Sequence, residues 1–505
     1  MSKLSKNIIY NLLGQGLLLI LGFVAVKFVF KQLGADALGI IYFTLTLNAV
    51  LGAVLEMGVC STATREVAAH FKDEPDYIRD LVRTGSLFYW SACILLAVVI
   101  YFIAPLLVEK WINLKTMDAA TATRMLQVLG VASVVGLPRS LYISILQGLQ
   151  RMEFRNIIDV ATSGVQQFGI IVILAMGGEL FHVVYWLALC FGLSLVGYLF
   201  VCLRFFSWQV LVPAYSADVI KRNKGYAKQM MQGSIFAMIH TQADKLIISK
   251  LLPVGILGYY SFGYGFVAKG SMVTGAIAQA VFPSLSSLFK IGDRTRLVLQ
   301  YRKMHDLTCY VTVPIFAALI FSELPLFTYF LNEEVARTLL MPITFLCIGF
   351  YMNGTLSVPY VFSLAVGKPD ISVRLNFLAL FFVPPGTAIL IYFFGLSGAG
   401  FSWIVYHLFA YAYGVPMICK ECLEMPVSNW YLHVLKIVIL TIGTYGLAWL
   451  FVASRGTYTL PILCSAYFGA SGIYLIGASQ MIGEDLRVAL FALLRTLKAK
   501  PARVA

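Results

Sequence analysis

Six basic residues stand inside long apolar stretches of this chain: Lys27, Lys31, Arg139, Lys245, Lys250 and Lys269. Each costs on the order of 3 kcal/mol or more at a bilayer centre unless it meets water or a partner. The acids read as sharing those stretches are Glu56, Asp159 and Asp244, and six cations against three acids leave a positive interior. Such an interior suits an anionic head group, a pyrophosphate for example. Lys27 and Lys31 are four residues apart and share a helix face. Lys31 and Lys250 lie at the ends of their stretches, where snorkelling to the interface competes with a paired role at a cavity mouth. Lys269 is near mid-stretch with no acid close in sequence, which favours a wet cavity. Arg139 follows Pro138; its planar fork suits either a phosphate or the carbonyls freed at a helix kink.

The densest polar patch is HTQADKLIISK. On a helix His240 and Asp244 share one face, while Thr241 and Lys245 share the next. Two readings stay open: a self-neutralising Asp244–Lys245 pair, or an Asp244 that binds a proton or sodium ion and exchanges partners with Lys245. His240 and Glu56 are secondary candidates for ion coupling, although Glu56 and Asp159 lie near stretch ends, where Arg65 or Arg155 could pair with them. The aromatic cluster YYSFGYGF at 259–266 suits helix packing and, less directly, sugar stacking. No catalytic residue, metal site or cofactor is expected. Cys419 and Cys422 in CKEC have metal spacing but no second Cys or His pair nearby in sequence, so buried thiols are the simpler reading.

These residues must be positioned by membrane-spanning helices. Of 505 residues 60% are hydrophobic and only 12% charged, against about 25% charged in soluble domains. The chain reads as an all-α polytopic membrane protein with about fourteen spans, at 8–33, 38–60, 84–108, 120–147, 156–176, 181–203, 229–252, 255–287, 307–330, 338–365, 372–394, 398–419, 433–453 and 460–482. With the N-terminus inside, the cytoplasmic segments hold 27 Lys/Arg and the opposite loops five. That asymmetry places both termini in the cytoplasm. Nothing in MSKLSKN and the apolar run after it reads as a cleavable signal. Leu486, Leu490, Leu493, Leu494 and Leu497 oppose Arg487, Arg495 and Lys498, the pattern of an amphipathic helix on the inner leaflet.

The spans repeat. KQLGADALGIIYF at 31–43 returns as KLLPVGILGYYSF at 250–262, and the same offset of 219 residues carries Gly148 onto Gly367 and Arg155 onto Arg374. The expected organisation is an N-terminal six-helix lobe at 1–203, a cytoplasmic linker at 204–228, a second six-helix lobe at 229–419, an extra helix pair at 420–482 and a basic tail at 483–505. Six spans per repeat implies a pseudo-two-fold along the membrane normal with a substrate path between the repeats.

LGADALGIIYF, with Leu33, Gly34, Gly39 and Tyr42 in an LG-x4-G-x2-Y spacing, is followed by MGVCSTATREVA at 57–68. Together these resemble the start of the polysaccharide transporter proteins, and ADKLIISKLLPVGILGYYSF at 243–262 resembles the start of their second half. These are the O-antigen and related lipid-linked oligosaccharide flippases of the multidrug/oligosaccharidyl-lipid/polysaccharide exporter superfamily. The likeness covers the first twelve spans. It implies two six-helix lobes around a cationic cavity, and transfer of an undecaprenyl-pyrophosphate-linked glycan from the inner to the outer leaflet of a bacterial cytoplasmic membrane by alternating access. The cavity-lining spans of that family carry, in this chain, Lys27, Lys31, Asp244, Lys245, Lys250 and Lys269. Implied partners are the glycan lipid, membrane lipids and a glycan polymerase or assembly protein, with no nucleic acid. Lysines rather than arginines argue mildly against the lipid-linked peptidoglycan precursor.

Rival classes follow from the same residues. A multidrug antiporter of this fold exports organic cations and would want an acidic interior. A non-catalytic scaffold of a glycan assembly complex would tolerate charge reversal at Lys245 and Lys269. An enzyme would need a nucleophile, metal set or carboxylate pair on a sizeable loop; the chain also has no GxxxxGK[ST] nucleotide motif.

Overall fold

A computed structural model describes residues 3–56, 58–456, 458–483 and 487; the expected amphipathic tail helix lies outside them, apart from Arg487. The described residues are mostly helical, with one isolated bridge between Asn113 and Pro253. The helices are α1 (Lys3–Glu56), α2 (Val59–His70), α3 (Pro75–Lys110), α4 (Ala119–Val135), α5 (Arg139–Gly148), α6 (Met152–Ala175), α7 (Leu180–Cys202), α8 (Ala217–Leu251), α9 (Val254–Gly270), α10 (Met272–Ile291), α11 (Arg294–Phe330), α12 (Glu333–Ala365), α13 (Asp370–Ala379), α14 (Val383–Phe394), α15 (Leu396–Phe409), α16 (Val415–Ile418), α17 (Val427–Thr441), α18 (Leu447–Arg455) and α19 (Leu460–Met481).

Ten of the described helical stretches are long and apolar enough to cross a membrane, or eleven if the α13–α14 pair, bent by 41°, is one span. The chain is a multi-pass membrane protein. The difference from fourteen has local causes. The first two expected spans run together as α1, broken only at Gly34, whose φ of 85° and ψ of 177° suit glycine alone. The fourth expected span breaks between α4 and α5 at Gly136–Pro138 yet still counts as one stretch, Ala119–Gly148, and the eighth counts through α10 although α9 has only 17 residues. The 35-residue α8 mixes charged with apolar residues, and a π-helical turn at Ala410–Gly414 interrupts the stretch after α15.

Two compact units divide the chain, residues 1–261 and 262–505. In the first, α1 packs on α4, α6 and α8, α3 packs on α4, and α2 on α5. A buried cluster drawn from α2, α3, α5 and α7 includes Tyr89, Tyr142 and Tyr198. The expected repeat would assign the seventh span to the second half, whereas α8 packs on α1 and falls in the first unit.

The two matched motifs meet at this point. A Cβ on Gly39 would stand 2.1 Å from the Val254 carbonyl oxygen, and one on its repeat partner Gly258 would stand 2.9 Å from the Gly39 nitrogen. Gly255 meets Ala35 equally closely, at 2.7 Å. Small residues thus let the start of α9 lie backbone to backbone on α1.

In the second unit α11 packs on α12, α12 on α15, and α11 on α19. Cys419 and Cys422 are buried in its apolar core beside Trp430 and Tyr301. Phe262 and Phe266 each pack edge-on against Phe327, and Tyr264 meets Phe350 and Trp403. That half of the aromatic cluster serves packing.

Candidate functional site

In the first unit the geometry centres on α8. Asp244 and Lys245 are buried, with side-chain exposures of 2% and 7%. Lys245 Nζ lies 3.5 Å from Asp244 Oδ1 and donates to the Thr241 carbonyl at 3.1 Å, one helical turn back. Asp244 Oδ1 also accepts the Lys245 backbone N–H at 2.8 Å, and its Oδ2 accepts the Tyr260 hydroxyl at 2.7 Å. The carboxylate is therefore held from two helices, by a cation beside it and by a neutral phenol from α9. This is the geometry of the self-neutralising pair. His240, one turn earlier on α8, is half-buried.

The other cations are more open. Lys27 is half-buried on α1, and Lys31 and Lys269 are exposed. Among the described residues no hydrogen bond or ion pair engages Lys31 or Lys269. Lys250 is exposed, but its ammonium caps the Lys110 carbonyl and lies 5.5 Å from the Trp111 ring centroid. Trp111 is fixed in turn by donating to Ser249 at 2.9 Å. Lys31 and Lys250, at matching positions of the two motifs, thus have different surroundings. Arg139, half-buried, donates to Ser194 at 3.2 Å.

Glu56 accepts from Ser61 at 3.2 Å rather than pairing with Arg65. Asp159 pairs with Arg155 at 3.5 Å and accepts the Tyr198 hydroxyl. Arg65 instead meets Glu66, a buried carboxylate that also accepts from Tyr77 at 2.9 Å and lies 3.6 Å from Arg222 of α8. Arg222 pairs with Glu74 at 2.7 Å and holds that carboxyl below its ordinary range.

Three acids escaped the sequence reading. Glu323 stands within the expected ninth span, fully buried, its Oε1 accepting from Thr344 at 3.0 Å; counting it brings the interior balance to six cations and four acids. Glu66 gave no signal beyond a loop charge. Asp36 lies inside the LGADALG motif, where only its glycines drew attention. Its Oδ2 accepts the N–H groups of Lys115, Thr116 and Met117 at 2.7–3.0 Å, closing the loop after α3 onto the elbow of α1. Burial pushes the Asp36 carboxyl up, but these donors and the Thr116 hydroxyl outweigh it and hold the group below the usual aspartate value.

The family described as polysaccharide biosynthesis protein matches residues 4–289, more than half of the chain. The chain belongs to this family. A Shigella flexneri protein named as an O-antigen transporter is 21% identical over 416 residues, covering 79% of this chain and 94% of that one. Among solved structures, lipid II flippase MurJ in an inward closed conformation superposes with a TM-score of 0.70 over 93% of this chain and 98% of its own, at 14% identity. An inward-facing multidrug resistance MATE family transporter of the MOP superfamily gives 0.65 over 80% and 95%, also at 14% identity. This member of the polysaccharide biosynthesis family therefore has the fold of MOP-superfamily transporters.

Proposed function

We propose that this protein is a flippase moving an undecaprenyl-pyrophosphate-linked oligosaccharide from the inner to the outer leaflet of a bacterial cytoplasmic membrane by alternating access, with both termini in the cytoplasm. Family membership together with the excess of accessible cations over acids carries the reading. A lysine exposed on a largely apolar helix and lacking a partner among the described residues is a ready contact for an anionic head group. In the first unit Lys31 is that residue, with Lys27 one turn deeper and Lys250 and Arg139 as further contacts; in the second unit it is Lys269. Lys245 joins them only after leaving Asp244, which ties head-group binding to the protonation or ion occupancy of Asp244. His240 and Glu56 are weaker coupling candidates. Nothing in the reading calls for catalysis.

The test is transbilayer movement of an undecaprenyl-pyrophosphate oligosaccharide in proteoliposomes. Wild type should move it, and Lys31→Ala and Lys269→Ala should slow transfer at least tenfold. Transfer at the wild-type rate in both variants would remove the head group from these lysines. No transfer with a series of glycans, alongside export of organic cations, would favour the multidrug antiporter instead.

A further inference from the structure

His305 and Cys309 lie one turn apart on α11, and His433 reaches the same point from α17. His305 Nε2 is 3.5 Å from Cys309 Sγ, and the rings of His305 and His433 have centroids 5.3 Å apart. One donor atom from each of the three residues falls within 4.8 Å of the other two. Asp306 places a carboxylate oxygen 3.2 Å from His433 Nε2. We propose that His305, Cys309 and His433 bind a zinc-class divalent ion, with Asp306 as the nearest fourth donor.

The donor chemistry selects the metal. Two imidazoles and a thiolate suit zinc, whereas magnesium and calcium take oxygen ligands. In a tetrahedral zinc site with Zn–N and Zn–O of about 2.0–2.2 Å and Zn–S of about 2.3 Å, ligand atoms stand roughly 3.3–3.6 Å apart. The separations of 3.5 Å between His305 and Cys309 and 3.2 Å between His433 and Asp306 are already close to those edges. The three donor atoms, within 4.8 Å of one another, would draw together by side-chain rotation on binding.

A simpler account covers part of the cluster. His305 stacks on Tyr301 with centroids 5.5 Å apart, and its Nε2 lies 3.2 Å from the Thr355 carbonyl oxygen. Those contacts explain one buried histidine. They do not explain a second histidine and a thiol at the same point, nor a His433 Nε2 that is buried without a hydrogen bond of good geometry. The side chains of His433 and Asp306 are 25% and 19% exposed, so this edge of the cluster reaches the surface. Coordination would pin α17, the first helix of the pair outside the repeat, to α11. It would also displace the thiol proton of Cys309 to solvent or buffer.

Cobalt(II) serves as the probe. The full-length protein, purified in detergent and stripped with a chelator, should take up one equivalent with a thiolate-to-cobalt charge-transfer absorption that added zinc abolishes. Cys309→Ser should remove that absorption, and His433→Gln should weaken cobalt binding at least tenfold. Cys464→Ser, at an exposed thiol, should leave it unchanged. Absence of the absorption in wild type, or its persistence in Cys309→Ser, would overturn the site. The wild-type spectrum is decisive even should a variant fail to fold.

Discussion

Tyr260 donates its hydroxyl to Asp244 at 2.7 Å, across the break at Leu252–Pro253 that separates α8 from α9. The phenol occupies one carboxylate oxygen while Lys245 and its own backbone N–H occupy the other. The Asp244 carboxylate thus ties α8 to α9 through the phenol. A carboxylate that lost its charge would hold Lys245 less firmly, while the phenol could stay.

Breaking the buried pair from one side should be costly. Lys245→Met alone leaves Asp244 charged in an apolar setting and should destabilise the protein by about 3–5 kcal/mol, whereas Asp244→Asn combined with Lys245→Met should recover most of that loss. Thermal unfolding of the purified protein, single against double variant, measures the difference. Equal losses in both would show that the two side chains do not act as a pair.

Tyr260→Phe removes a hydrogen bond to a charged group and should cost about 1.5–3 kcal/mol. If Asp244 couples transport to an ion, the same change should shift the pH or sodium dependence of flipping, and Asp244→Asn should abolish it. A dependence unchanged in both variants would take ion coupling away from this carboxylate.

The Asp36 cap predicts an acid-limb effect. Its folded-state pKa lies below the ordinary value of 3.8, so its contribution to stability is complete above that value and fades as pH falls through the lower folded one. Asp36→Asn should reduce stability near neutral pH by about 1–3 kcal/mol, the scale of a lost charged hydrogen bond. Relative to wild type, the deficit should shrink below pH 4. A deficit independent of pH would mean that shape, not charge, holds the loop.

Gly39→Ala drives a methyl against a backbone carbonyl that cannot turn aside, and overpacking of this kind costs about 1–3 kcal/mol or more. Gly192→Ala, on α7 with nothing within 4 Å of its Cβ, should be neutral or stabilising by up to about 1 kcal/mol from helix propensity. Yield and thermal stability of the two variants, measured side by side, separate close approach from simple glycine content.

Legibility in the sequence followed the range of the interactions. Apolar run length revealed the helical membrane architecture, and the matched motifs at 31–43 and 250–262 turn out to lie against each other. The elbow at Gly34 escaped because a single left-handed residue leaves hydropathy unchanged on either side. Asp244–Lys245 was visible because the two are adjacent; Tyr260 was not, because its tie to Asp244 depends on how α9 folds back. Glu323 was passed over within an apolar run, although its type and position were there to be read. His433 is 124 residues from Cys309 in sequence, and no local pattern links them.

The meeting of Gly39 with Gly258 has a further consequence. The two glycines hold matching places in motifs 219 residues apart, and each lies against the backbone of the other's helix. A side chain added at either position is therefore resisted by a neighbour that has no rotamer to change, so α1 and α9 can yield only as whole segments.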